Sequence, residues 1–185
     1  EFGIHGIHFF ASRNSERKEI KLHRLEKIAI AALKQSKNLF LPEITAMVPL
    51  QNYVNAAKSS TTDQYLFAHI SDSPIHSLTK QIKLNRCYHI LIGPEGDFSP
   101  EETKALIQSN WEPFSLGKSI LRTETACIAT TVGVHLAHDL TTHSQQYHPD
   151  HETNLQNYLH HKLLRCLPLH CVSHSALFAY RLIAN

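Results

Sequence analysis

The fold is most legible in Cys87-Tyr88-His89-Ile90-Leu91-Ile92, with the Gly93-Pro94-Glu95-Gly96-Asp97-Phe98 and Ser99-Pro100-Glu101-Glu102 that follow. Cys87–Ile92 is dominated by apolar residues, the composition of a strand buried on both faces. Gly93 and Pro94 stop it. A helix then begins with matching chemistry. Ser99 is a good N-cap, and Pro100 fits the first helical position, where its missing N–H is not needed. Glu102 stands three residues after Ser99 and completes a capping box. The helix is expected to reach about Asn110.

Downstream, Pro113–Leu116 reads as a short strand ended by Gly117, and Thr123–Leu140 as a long helix. Upstream, Tyr65–Ile70 reads as a strand closed by Ser71-Asp72-Ser73-Pro74, and Ser59-Ser60-Thr61-Thr62 as a loop. Leu50–Ala57 is a short helix, with Pro42 and Pro49 punctuating the stretch before it. Ile20, Leu25, Ile28, Ala29, Ala32 and Leu33 recur at helical spacing, which predicts an amphipathic helix over Glu19–Ser36. Ile4–Phe10 is a short apolar strand. Strands alternating with helices predict an α/β domain with a mostly parallel sheet and helices on both faces.

The chain of 185 residues suits one domain of ordinary size with its own core. No apolar run reaches the length of a membrane span, and the opening residues lack the pattern of a signal peptide. Cys87, Cys127, Cys166 and Cys171 are too scattered for a disulfide framework, which favours a reducing, cytoplasmic setting. The first residue is Glu and the one Met is Met47, so the chain is expected to begin inside a longer protein. The net charge is +2. Arg13–Lys37 holds eight Lys/Arg and three Glu, a local +5, which leaves −3 for the rest. Such a patch suits a polyanion such as RNA, with Arg13, Arg17, Lys18, Lys21 and Arg24 as contacts. A solvated helix face accounts for the same charges.

Ligands of open α/β sheets bind beyond the carboxyl ends of the strands. Gly93, Gly96 and Gly117, three of six glycines, sit in turns at such ends. Neither of the usual phosphate-binding glycine motifs is present. The first turn offers Glu95 and Asp97 and no basic residue, a poor cradle for an anion and a better one for a cationic ligand with hydrogen-bond donors. The second turn, Leu116-Gly117-Lys118-Ser119-Ile120-Leu121-Arg122-Thr123-Glu124-Thr125-Ala126, sets Arg122 just before a helix. Arg122 is placed to bind a phosphate, pair with Glu124 or orient a base. The helix carries small residues at Ala126, Ala129, Gly133 and Ala137, which permit close packing of another backbone or simple burial against the sheet.

Leu91–Ser99, Leu116-Gly117 and Ile120–Ala126 together resemble the paired signature of RsmE-type 16S ribosomal RNA (uridine-N3) methyltransferases of the SPOUT superfamily. Glu1-Phe2-Gly3-Ile4, Arg24–Ile28, Lys34–Ser36 and Leu41–Ile44 resemble further segments of that family, and the likeness runs from Glu1 to about Leu140. It implies a C-terminal trefoil knot holding S-adenosylmethionine. Ile70, Ile92, Gly93, Pro94, Gly96, Leu116, Gly117, Ile120, Leu121 and Arg122 would line the cofactor site. It implies methylation of uridine N3 in 16S ribosomal RNA within the small subunit, by a homodimer. Arg122 would stabilise the uracil oxyanion, and Glu95 or Glu124 would accept the proton. It also implies a PUA-like RNA-binding domain, then a first strand and helix, ahead of Glu1.

Residues 141–185 match nothing in that pattern, show no strand-and-helix alternation and hold seven of fifteen His. Leu155, Tyr158, Leu159 and Leu163 could share one helix. Two other functions compete. Cys166, His170, Cys171 and His174 raise a zinc module, although their spacing is not that of paired ligands, and no metal is expected. A non-catalytic RNA-binding or assembly factor, or a SPOUT enzyme with another RNA target, would keep the same fold.

Overall fold

The computed structural model describes residues 1–15, 19–57, 62–71, 74–144 and 178–183, the last six and 141–144 by backbone alone. Six strands form one sheet: β1 (Gly6–Ala11), β2 (Glu43–Pro49), β3 (Gln64–Ala68), β4 (Cys87–Ile92), β5 (Glu112–Phe114) and β6 (Phe178–Ile183). Five helices accompany them: α1 (Leu22–Ser36), α2 (Leu50–Ala57), α3 (Leu78–Gln81), α4 (Pro100–Gln108) and α5 (Thr123–Ser144). The strand order is β2-β1-β6-β4-β3-β5. β1 to β5 run parallel to one another, and β6 lies antiparallel between β1 and β4.

The alternation of β3 and β4 builds two cores, as side chains of a strand point to opposite faces. Phe67 and Leu91 face one way, with Phe10, Leu50, Val54, Phe98, Leu106 and Trp111, under α2 and α4. Leu66, Tyr88, Ile90 and Ile92 face the other way, with Leu78 of α3 and Ala126 and Val134 of α5. Helices therefore cover both faces, as the apolar run at Cys87–Ile92 requires. Ser99 accepts from the Glu102 N–H, and Glu102 accepts from the Ser99 N–H, so the expected capping box is formed.

Several elements depart from the sequence reading. β2 forms where only punctuation by Pro42 and Pro49 was expected. It is an edge strand and largely exposed, and Pro49 at its end is tolerated there, so the prolines that flank Ile44–Val48 do not prevent a strand. α1 starts at Leu22 rather than Glu19, and none of its residues is buried, with Ile28 43% and Ile30 40% exposed. Its sheet neighbour is that edge strand, which offers too little surface to cover an apolar stripe. α5 continues past Leu140 to Ser144, and Phe178–Ile183 adds a strand where no extension of the domain was read. Arg17 and Lys18, and Leu155, Tyr158, Leu159, Leu163, Cys166, His170, Cys171 and His174, lie outside the described residues. No helix of the described residues is long and apolar enough to cross a membrane.

Candidate active site

β3, β4 and β5 end side by side, and the turns beyond them enclose a cleft with about 520 Å³ of space, open to solvent. Ala68, His69 and Ile70 come from the end of β3, and Ile92, Gly93, Pro94, Glu95 and Asp97 from the end of β4. Ser115, Leu116, Gly117, Ser119 and Leu121 come from the segment joining β5 to α5, and Thr123 and Ala126 from the first turn of α5. This is the position that open α/β sheets reserve for ligands. The lining has two carboxylates and no Lys or Arg.

Asp97 ties the two turns nearest β3 and β4 together. Its backbone takes the left-handed conformation at φ 57°, which aims the carboxylate back across the cleft. One oxygen lies 2.8 Å from His69 Nδ1 and accepts from the Ile70 N–H at 3.1 Å. The other accepts from the Phe98 N–H at 2.8 Å. Asn14, beyond β1, donates to the carbonyls of Gly96 and Asp97 and braces the turn from outside. On the far side, the buried Thr123 hydroxyl donates to the Gly93 carbonyl at 3.1 Å, pinning the start of α5 to the end of β4. Gly93 is itself crowded: a Cβ there would meet the Phe98 ring at 3.1 Å. Gly117 is open around Cα but adopts φ 119°, which side chains disfavour. The Gly117 N–H is bonded to the Ser115 hydroxyl at 3.1 Å.

A family model for the RNA methyltransferase domain matches residues 1–134. The chain belongs to this family. Ribosomal RNA small subunit methyltransferase E of Rickettsia conorii is 30% identical over 137 residues, covering 74% of this chain and 55% of that protein. The chain thus spans about half the length of the curated relatives it matches. A probable rRNA-methyltransferase from Porphyromonas gingivalis superposes with TM-score 0.64 at 37% identity, over 70% of this chain and 54% of that one. A putative methyltransferase from Legionella pneumophila, solved in complex with bound S-adenosylmethionine, superposes with TM-score 0.61 at 26% identity. It covers 74% of this chain and 57% of that one.

Within this RNA methyltransferase domain, the cleft gathers Ile70, Ile92, Gly93, Pro94, Leu116, Gly117 and Leu121 of the residues expected around a cofactor, and Glu95 of the expected acids. Gly96, Ile120, Arg122 and Glu124 are not in its lining. Gly96 faces Asn14, and Ile120 is 74% exposed. Arg122 is exposed between two lining residues, Leu121 and Thr123, and forms no ion pair with Glu124. Of the expected RNA contacts, Lys21 and Arg24 are exposed on and beside α1. Arg13 instead pairs with Glu101 at 2.8 Å, while its N–H donates to Glu102. The Glu101 carboxyl is held below its usual range by backbone N–H at the start of α4, by Ser99 and by Arg13.

The sequence reading gave no site role to His69, Ser115, Ser119 or Thr123. Their signal was available: each neighbours a strand end or turn already singled out. Cys127, one turn into α5, packs against the second core. Burial pushes its thiol far above the usual range, so it stays protonated and is no nucleophile for the cleft. Gly133 has the tight packing that its size suggested, as a Cβ there would lie 2.9 Å from Leu78 of α3.

Proposed function

We propose that this chain binds S-adenosylmethionine in the cleft and methylates N3 of a uridine in 16S ribosomal RNA. One observation carries the reading. The two turns that bear the family signature meet as one cleft, and that cleft has two carboxylates and no Lys or Arg, its one imidazole, His69, being bonded to Asp97. A cationic ligand fits such a lining, whereas a phosphate would be repelled. Ile92, Leu116, Leu121 and Ala126 suit an apolar ring, and the backbone at Gly93, Pro94 and Gly117 suits its polar edge.

When bound, the sulfonium supplies a methyl group already activated toward a nucleophile. The protein has to make N3 that nucleophile. N3 of uridine carries a proton, which must leave as the N–C bond forms. Glu95, exposed in the lining, is placed to take it, and Glu124 in the first turn of α5 is the second candidate. Arg122 stands beside the cleft, where a guanidinium can stabilise the charge that moves onto the uracil oxygens. The exposed Lys21 and Arg24, with Arg17 and Lys18, hold the RNA backbone.

Several finer features belong to the same proposal. The segment from β5 to α5 crosses back past β3 to reach β4, and we take this return as part of a trefoil knot. Residues 1–140 carry the reaction, 141–185 add a tail whose Phe178–Ile183 supplies β6 to the sheet, and the working unit is a cytoplasmic homodimer acting on the small subunit. The test is calorimetric titration with S-adenosylhomocysteine, then methyl transfer to unmodified 30S subunits read by mass spectrometry of the nucleosides. Binding followed by uridine-N3 methylation is expected. A folded chain that binds no S-adenosylhomocysteine, or that methylates a ribose or another base, refutes the reading. Binding without transfer would leave the non-catalytic alternative.

A further inference from the structure

At the opposite end of the same strands, three side chains of metal-ligating type converge. Asp63 precedes β3, and Cys87 and His89 alternate along β4. One ligand atom from each lies within 4.8 Å of the other two. His89 Nε2 and Asp63 Oδ2 are 3.0 Å apart, and their side chains are only 11% and 12% exposed. Along β4, three residue steps, about 10 Å at ~3.3 Å per residue, separate His89 from Ile92 in the cleft lining, and five separate Cys87 from it. The cluster is a separate place in the molecule, and nothing in the proposed methyl transfer uses it.

The local structure holds the three together by strand pairing, a hydrogen bond and a ring stack. Parallel pairing sets Gln64 opposite Tyr88 and Tyr65 opposite His89, which brings the residue before each pair, Asp63 and Cys87, level with one another. The Arg86 guanidinium donates to the Thr62 carbonyl at 2.9 Å and closes the preceding loop onto β4. Tyr65 stacks on His89 at 4.8 Å and fixes the ring plane. The period of two puts Cys87 and His89 on one face of β4.

We propose that Asp63, Cys87 and His89 form a site for a thiolate-seeking divalent metal of the zinc class, with water as the fourth ligand. Zinc bonds of ~2.0 Å to oxygen and nitrogen and ~2.3 Å to sulfur, at tetrahedral angles, place ligand atoms about 3.3–3.6 Å apart. The His89–Asp63 separation has to open by only about 0.3 Å, and the remaining pairs need to close by no more than about 1.5 Å. Binding replaces the Cys87 thiol proton, which goes to solvent, so uptake strengthens as pH rises. Backbone register sets Arg181 opposite His89. The bound ion would clamp the starts of β3 and β4.

The test is titration of the full chain with Co²⁺ as an optical stand-in for Zn²⁺. One ion per chain is expected, with thiolate-to-cobalt charge-transfer absorption. Cys87→Ser should abolish that absorption, and His89→Ala and Asp63→Asn should each weaken binding at least about tenfold. The Cys166→Ser/Cys171→Ser double variant should keep it. Zn²⁺ should raise the melting temperature of the native chain and leave that of Cys87→Ser unchanged. Circular dichroism checks that each variant is folded. Absence of thiolate absorption in the folded native chain overturns the proposal. So does absorption that survives Cys87→Ser or is lost in the double variant.

Discussion

Gly93→Ala probes the core and the cleft with one methyl group. The backbone of Gly93 is not in the left-handed region, so alanine meets no dihedral penalty and any cost comes from space. The added Cβ would lie 3.1 and 3.2 Å from two carbons of the Phe98 ring and 3.4 Å from Asp97 Oδ1. Ordinary carbon contacts begin at about 3.5 Å, so the ring has to retreat by about 0.3–0.4 Å. It has little room, being 5% exposed, stacked on Phe10 at 6.1 Å and edge-on to Phe67 at 5.9 Å. Overpacking of this kind costs about 1–3 kcal/mol. For a chain of this length the melting temperature should fall by about 2–12 °C. Phe98 also follows Asp97, whose carboxylate orients His69 and Ile70, so S-adenosylhomocysteine should bind at least about tenfold more weakly. Thermal melts and calorimetry read the two effects. In a Phe98→Leu background the penalty of Gly93→Ala should drop by about half, because the two residues share one contact. A Gly93→Ala chain with native melting and native affinity would refute the reasoning about both the contact and the cleft.

Thr123→Val leaves the buried Gly93 carbonyl without its donor and should cost about 1–3 kcal/mol in urea unfolding, whereas Thr123→Ser should cost little of that. Ser99→Ala removes the N-cap of α4 and should cost about 0.5–2 kcal/mol by the same measurement. Burial, and then His135, lowers the pKa of His138, whose Nε2 lies 2.7 Å from the Tyr88 hydroxyl. The folded state therefore resists protonation there. Stability from this group is complete above about pH 6.5 and is lost as pH falls through that value toward the lower folded pKa. Melting temperatures from pH 8 to 5 should fall less steeply in His138→Gln. Burial pushes Tyr88 up to about 12, so its contribution is complete below about pH 10 and fades above. Tyr88→Phe should flatten that alkaline limb.

What the sequence made legible follows from how strongly local chemistry agrees with the fold. Cys87–Ile92 is buried along nearly its whole length, so composition alone marks a strand, and its bounds are those read from the sequence. Ser99, Pro100 and Glu102 carry the start of α4 in three side chains, and the capping box forms as read. β2 was invisible because an exposed edge strand needs neither a buried face nor freedom from Pro. The apolar repeat of α1 marks an amphipathic helix, but periodicity cannot tell whether a neighbour exists to cover its apolar face. β6 takes its place through backbone pairing with β1 and β4, two strands far from it in sequence, and no local signal announces a long-range partner. The cleft was legible as two glycine turns at strand ends. Its polar furniture was not, because His69 reaches Asp97 across 28 residues and Thr123 reaches Gly93 across 30.

Those two bonds belong to a wider bracing of the residues after β4. Gly93 ends a buried strand, gives its carbonyl to Thr123, and leaves room only for the Phe98 ring. Asp97 takes a left-handed backbone and spends its carboxylate on His69, Ile70 and Phe98. Ser99 starts the next helix, whose first turn holds the loop after β1 through Glu101, Glu102 and Arg13. A cleft floor built from such bonds is fixed before any ligand arrives, which lowers the ordering cost of binding. Glu95 is the exception: within this braced turn its side chain is exposed and forms no hydrogen bond among the described residues. A proton acceptor must be free to meet its partner while its surroundings stay still. That contrast, and not acidity alone, is the physical reason that Glu95 rather than Asp97 is the proton acceptor proposed above.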